Sequence, residues 1–190
     1  IAVLGAQGVN CCDAVRAQTL TLLAAADGTP QAPVALDAVR PQSPARVLRL
    51  ADGGLVVASA EWTATGARLQ VSRLDATGGV PLWESNVPIP TRQTSVRVAV
   101  TALDRGADGT IGVAGFAVDN DAAPPLGSAV AATLSPLDGA VIAQHVPLAG
   151  LVGSTWVDWA IYSVAGDADG SLLMRAGRTT RIASNIEFSM

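Results

Sequence analysis

Lysine is absent from this chain of 190 residues, and all 12 basic residues are arginine. Aromatic residues make up only 4% of the chain and charged residues only 15%, whereas hydrophobic residues make up 49%. This hydrophobic content excludes an intrinsically disordered chain, and Arg in place of Lys is typical of a GC-rich bacterial genome. The net charge of −4, with no cluster of basic residues, excludes a surface that binds nucleic acid through its phosphates.

Long apolar runs are also missing. The run at 140–153 is interrupted by Gln144 and His145, and a membrane-spanning helix needs about 20 consecutive apolar residues. The sequence therefore predicts no membrane span. The chain begins with Ile1 rather than Met, which suggests that a leader or an upstream portion has been removed, and we expect an extracytoplasmic location: periplasmic, secreted or at the cell surface.

One tripeptide recurs. Ala-Asp-Gly stands directly before an apolar run at 51–53, 107–109 and 168–170. The apolar runs of the chain start at residues 1, 55, 111 and 172, so they are 54, 56 and 61 residues apart. Asp-Gly and Gly-Gly pairs supply the positive φ of tight hairpins, and Val-, Leu- and Ala-rich runs without a 3.6-residue period indicate buried strands.

The repeated unit is therefore interpreted as four short antiparallel strands in about 55 residues, which is typical of a β-propeller blade. We predict an all-β fold, a single β-propeller domain of about three and a half four-stranded antiparallel blades. The units cover residues 1–44, 45–94, 95–155 and 156–190. Because the first unit lacks its opening strand and the last ends in its third, we expect this to be part of a larger propeller. Another protein chain or a further segment would complete it. The alternatives are a closed four-blade ring and a β-sandwich.

Two segments carry a resemblance to known repeats. RLDATGGVPLWESNVP (73–88) and LLAAADGTPQAPVAL (22–36) resemble the outer hairpin of quinoprotein-type propeller repeats, and SPLDGAVIAQHVPL (135–148) is a weaker copy without the Trp. The turn in LADGGLVVAS also resembles the delta-sixty family of bacterial propeller repeats. The resemblance implies the fold, and enzymes, receptors and assembly factors share it.

Function in a propeller is expected in the longer loops, which lie opposite the tight glycine turns. These loops include EWTATG (61–66) and FAVDNDAAPPLG (116–127), and the connector GLVGST (150–155) lies on the same face. The candidate residues for binding a ligand or partner are Trp62, Trp156, Arg16, Asp119 and Asp121. Trp62 is predicted in a short loop as an exposed aromatic contact. Asp119 and Asp121 resemble a calcium loop but lack its full ligand set, and Asp as a turn former is the alternative.

Cys11 and Cys12 are adjacent, and we predict that they form a disulfide of some kind. They could close a strained ring that stiffens a loop, or each could pair with a partner segment. The resemblance to quinoprotein alcohol dehydrogenases implies a third role, in which a vicinal disulfide packs on the quinone.

The sequence predicts no catalytic residues, no metal site and no cofactor, with calcium and a quinone as alternatives. It does not decide whether the protein is an enzyme, and it favours a non-catalytic role. The leading hypothesis is a secreted or surface-associated bacterial scaffold that binds proteins through its loops and open edge strands. The alternatives are the propeller portion of a quinone-dependent dehydrogenase and a carbohydrate-binding propeller.

Overall fold

The computed structural model contains fifteen strands. It describes residues 2–7, 17–24, 26–31, 34–35, 45–63, 66–77, 79–90, 96–119, 126–145, 150–152, 155–166, 172–182 and 185–189. These residues contain no helix, and so no helix among them is long and apolar enough to cross a membrane.

The strands form four antiparallel sheets in chain order. Sheet 1 contains β1 (Ala2–Gln7), β2 (Ala17–Leu22) and β3 (Val34–Ala35). Sheet 2 contains β4 (Arg46–Arg49), β5 (Leu55–Thr63), β6 (Gly66–Leu74) and β7 (Pro81–Ile89). Sheet 3 contains β8 (Val96–Arg105), β9 (Ile111–Asp119), β10 (Leu126–Leu134) and β11 (Val141–His145). Sheet 4 contains β12 (Gly150–Val152), β13 (Thr155–Gly166), β14 (Leu172–Ile182) and β15 (Asn185–Ser189).

Each sheet is a simple meander in which strands that follow one another in the chain are paired neighbours. The prediction of an all-β chain built from four-stranded antiparallel sheets is therefore confirmed. One connector was predicted wrongly, because residues 150–152 of the segment 150–155 form β12 and pair with the start of β13. The unit predicted to start at residue 156 therefore lacks the first strand of sheet 4, and β13 lies second in that sheet.

Sheet 2 buries both of its faces, and the two-residue period of β5 shows how. Val56, Ala58 and Ala60 belong to the large core cluster shared with sheet 3, whereas Leu55 and Val57 pack with Leu20 of sheet 1. Alternate side chains of a strand point to opposite faces. A continuous apolar run is thus explained by a strand covered on both sides, as in other sheets buried on two faces.

Sheet 3 repeats this arrangement. Ile111 and Val113 of β9 face the cluster shared with sheet 2, and Ala114 packs with Val164 of β13 in a second cluster. Gly115 allows the close approach of sheets 2 and 3, since a Cβ there would lie 2.6 Å from Leu69 Cδ2 and 2.5 Å from the carbonyl oxygen of Ala99. The sheets therefore stack face to face in the order of the chain.

Two kinds of tight turn close the hairpins. The Ala-Asp-Gly turns at 51–53 and 107–109 join the first and second strands of sheets 2 and 3, as predicted, and place Gly53 at φ 88° and Gly109 at φ 92°. Longer turns in sheets 1 and 3 place Gly28 and Gly139 at φ 74°. Among the described residues only glycines have a positive φ. The Asp before each glycine therefore does not supply the left-handed residue of the turn, and its side-chain hydrogen bonds are described below. The third Ala-Asp-Gly, at 168–170, lies outside the described residues.

Candidate functional site

The structure gives positions to three of the predicted site residues. Trp62 lies in β5, Asp119 ends β9, and Trp156 is the second residue of β13. Four others lie outside the described residues, so their predicted roles and the predicted disulfide remain predictions: Arg16, Asp121, Cys11 and Cys12.

Trp62 lies in a strand, so its predicted position in a loop is wrong. It pairs with Ala67 across the β5–β6 hairpin, and Thr63 pairs with Gly66, which leaves only residues 64–65 between the strands. The indole is half-buried and packs against the core cluster of sheets 2 and 3. The antiparallel ladder continues through polar residues because backbone pairing does not require apolar side chains.

Asp119 and Trp156 occupy corresponding ends of their sheets. Asp119 pairs with Val96 and Leu126 at the end of sheet 3 opposite its glycine turns. Trp156 pairs with Leu151 and Arg181 near the start of β13. Each residue thus lies at the loop end of its own sheet, where it was predicted, although Asp119 is in a strand rather than a loop.

A polar stripe lies on the face of sheet 2 that packs against sheet 1. Glu61 and Arg68 face each other across β5 and β6 and form an ion pair. Next to them, Ser59 opposes Gln70, and both are buried. The Ser59 hydroxyl has no hydrogen-bond partner among the residues that the structure describes. The Glu61–Arg68 pair satisfies a buried carboxylate that would otherwise destabilise the sheet.

The tight-turn ends of sheets 2 and 3 are joined by a second polar cluster, which we call the seam. The Trp83 indole donates a hydrogen bond of 3.1 Å to the carbonyl oxygen of Pro136. Arg73 donates to the same carbonyl at 2.5 Å and forms an ion pair with Asp52. Arg73 and Trp83 face each other across β6 and β7. One carbonyl of sheet 3 therefore fixes two side chains of sheet 2.

The backbone at Gly139 completes the seam. A Cβ at this position would lie 2.6 Å from Trp83 Cε3, inside the van der Waals limit. Further along the outer strands, Gln144 of β11 donates a hydrogen bond of 3.1 Å to the carbonyl oxygen of Pro88. The outer strand β7 is thus connected to sheet 3 at Trp83 and at Pro88.

Aspartates organise the tight turns by accepting hydrogen bonds. Asp52 accepts from the Gly54 N–H at 3.0 Å, and this bond contributes most to lowering the pKa of Asp52, with the Arg73 charge adding to it. The Thr77 hydroxyl, 2.7 Å from Asp75, lowers the pKa of that carboxyl most. These bonds favour the ionised carboxylate, and so the recurring Asp acts as a turn former.

The pKa values of two further turn aspartates are lowered in the same way. The Thr29 side chain contributes most at Asp27, followed by the Thr29 N–H, which is 2.9 Å from the carboxylate. Ser135 contributes most at Asp138, followed by the Ala140 N–H, which is 3.1 Å away. In the turns of three sheets, hydrogen bonds within the turn thus lower the pKa of an aspartate.

Large exposed hydrophobic side chains occur in the two hairpins that carry Trp83 and Pro136. Five of them lie in the two turns that join the third and fourth strands of sheets 2 and 3, or in the first two residues of the strands that follow. We call these five the outer-turn surface: Val80, Leu82, Leu137, Val141 and Ile142. Leu137 is the most exposed, at 84%. All the large hydrophobic side chains that are exposed among the described residues thus fall in two hairpins, and exposed apolar groups concentrated in this way indicate a candidate interaction site.

The sequence interpretation missed this surface, although a signal was present. Val141 and Ile142 are adjacent and directly follow a glycine turn. Two adjacent residues of a strand point to opposite faces, so both can be buried only where sheets cover both sides. The outermost strand lacks such cover, and β11 is exposed along most of its length. His145 is the last residue of this outermost strand.

Within the described part of the chain, no group of three or more His, Cys, Asp or Glu side chains is placed to hold a metal ion. The comparisons with known proteins give no relative from which a role could be taken: no family model, curated protein or solved structure matches the chain.

Proposed function

We propose that the four sheets are successive blades of a β-propeller of the quinoprotein-like or delta-sixty-like kind, and that the protein is an extracytoplasmic scaffold that binds other proteins. The observation that carries the binding role is the outer-turn surface, whose five hydrophobic side chains are between 41% and 84% exposed. Hydrophobic groups held in fixed positions on a rigid frame lose little entropy on binding.

The blade arrangement is supported by the packing. Sheets 2 and 3 each cover both faces with their neighbours in chain order, and burial falls from the second strand of sheet 2 to its outer strand. The Trp of the quinoprotein-like segment 73–88 connects one sheet to the next through Pro136. A contact of this kind between neighbouring sheets fits blades that follow one another around an axis.

The binding role is supported by the rigidity of the seam. Leu137 follows the Pro136 carbonyl that Trp83 and Arg73 hold. The turn itself is closed by hydrogen bonds of 2.8 Å from the Ser135 N–H to Ala140 and 3.0 Å from the Gly139 N–H to Ser135. A protein partner would therefore meet a preformed surface.

Affinity capture tests this function. The tagged full chain is incubated with an extracytoplasmic extract of the organism that encodes it, and recovered proteins are quantified by mass spectrometry. We expect one polypeptide near one-to-one stoichiometry, displaced by excess untagged chain. Absence of any stoichiometric, competable protein would contradict the scaffold role. A quinone absorbance band in the purified protein, together with reduction of an electron-accepting dye, would support the dehydrogenase alternative instead.

A further inference from the structure

We infer that the exposed edge of β11 binds an extended segment of another protein as an added antiparallel strand, and that this segment has apolar residues flanked by Lys or Arg. This inference rests on the proposed scaffold function and names its docking site and the chemistry of its partner.

The first support is the difference between two outer strands. Both β7 and β11 lie at the end of their sheets, so within the described part of the chain each has one side without a paired strand. Strand β7 carries Pro81, Pro88 and the exposed Glu84, which are the residue types that protect an edge from further pairing. Strand β11, with the sequence VIAQH, has no proline and no acidic residue. None of the described strands pairs with its outer edge.

The second support is the apolar surface beside that edge. Ile142 is 59% exposed and Val141 41% exposed, and both belong to β11 itself. Leu137 lies in the turn that leads into the strand. In strand addition, the backbone edge supplies hydrogen bonds and neighbouring side chains select the incoming residues. This edge selects apolar ones.

The third support is charge, which also decides the occupant. In the segments 73–90 and 134–145 the acidic residues are Asp75, Glu84 and Asp138. The one Arg of these segments, Arg73, is paired with Asp52. The two segments that carry the outer-turn surface are therefore acidic, in a chain whose net charge is −4. Basic flanks on the partner would be attracted, whereas a second copy of this chain would bring the same acidic segments.

The test uses synthetic nine-residue peptides and the full chain. Fluorescence anisotropy measures binding of labelled KKVTVTVKK, of the acid-flanked EEVTVTVEE, and of KKVTPTVKK, whose central proline cannot pair in a strand. We expect saturable binding of the first peptide, weakened by added salt because salt screens charges. The other two should bind at least about tenfold more weakly, since one has repulsive flanks and the other lacks a ladder donor.

Two variants locate the site. Ile142→Lys places a charge on the open edge at an exposed position, and should lower affinity for KKVTVTVKK by about tenfold or more through lost apolar contact and repulsion. Ala107→Lys is the matched control, with the same charge change in the exposed β8–β9 turn, and should keep the affinity. Circular dichroism checks that both variants fold. If Ile142→Lys unfolds, Leu137→Lys replaces it, because Leu137 is 84% exposed.

Four results would overturn the inference: no saturable binding, equal binding of all three peptides, equal affinity of the two Lys variants, or concentration-dependent dimers of the wild type that Ile142→Lys abolishes. The last would assign the edge to a second copy of this chain. A partner captured equally well by wild type and Ile142→Lys would reject the edge as the site and leave the scaffold function standing.

Discussion

Gly139 offers a direct test of how tightly the seam is packed, because the chain contains its own control. Gly28 and Gly139 have the same φ of 74°, and their turns are closed by the same pattern of two backbone hydrogen bonds. A Cβ at Gly28 would have no atom within 4 Å, whereas at Gly139 it would lie 2.6 Å from the Trp83 ring. The two positions differ in this contact and share the backbone conformation.

The expected costs follow from that difference. An L residue in the left-handed region costs about 1–2 kcal/mol, and this should be the whole loss of unfolding free energy for Gly28→Ala. Overpacking adds about 1–3 kcal/mol, so Gly139→Ala should lose about 2–5 kcal/mol. Urea denaturation followed by circular dichroism measures both, and each kcal/mol should lower the Tm by about 2–4 °C for a chain of this size.

A third variant isolates the ring. Trp83→Ala removes the ring atoms that the new methyl group would contact. In that background Gly139→Ala should therefore cost only the free energy of placing an L residue in the left-handed region. The double variant should therefore lose about 1–3 kcal/mol less than the sum of its parts. Equal losses for Gly28→Ala and Gly139→Ala, or additive losses in the double variant, would refute the close packing of Trp83 on this turn.

The remaining predictions concern the seam, the loss of stability at acidic pH, and the close packing of sheets 2 and 3 at Gly115. Arg73→Met should lose about 1–3 kcal/mol of unfolding free energy, because Pro136 loses a charged donor. The exposed Arg49→Met is its control, and a comparable loss there would contradict the role of the seam. The lowered pKa values of the turn carboxylates predict stability that is fully present above their ordinary pKa of 3.8 and is lost as the pH falls through the lower folded values. Measurement of the Tm at decreasing pH should show this loss. Replacement of these aspartates by Asn should make the Tm depend less on pH in the acidic range, and the residues to replace are Asp27, Asp52, Asp75 and Asp138. Gly115→Ala should cost about 1–3 kcal/mol, since its Cβ would meet Leu69, and an unchanged denaturation midpoint would show that the sheets have room.

Much of the fold could be predicted because the residues that form its turns act on their immediate neighbours in the sequence. The Asp-Gly turns and apolar runs define the strands of sheets 2 and 3, since a left-handed glycine and an Asp that accepts backbone N–H groups act within a few residues. The burial of Leu55 and Val56 on opposite faces also follows from their place in an unbroken apolar run.

The seam and the exposed surface depend on contacts that sequence spacing does not reveal. Trp83 and Pro136 are separated by 53 positions, so their hydrogen bond exists only once sheet 3 has packed on sheet 2. Trp62 was predicted in a loop because the polar residues around it interrupt the apolar pattern, yet hairpin pairing extends the strand through Thr63. The exposure of Ile142 follows from which strand ends up outermost, which is a property of the assembled sheets.

The stacking of the sheets in chain order has a consequence for how the molecule comes apart. Where each layer is stabilised chiefly by the layers on either side, cooperativity is passed from neighbour to neighbour. Weakening the contacts around Pro136 should then do more than lower the overall stability. It should broaden the melting transition, because sheets 1 and 2 meet sheets 3 and 4 through this one interface, where the Pro136 contacts add to the large core cluster.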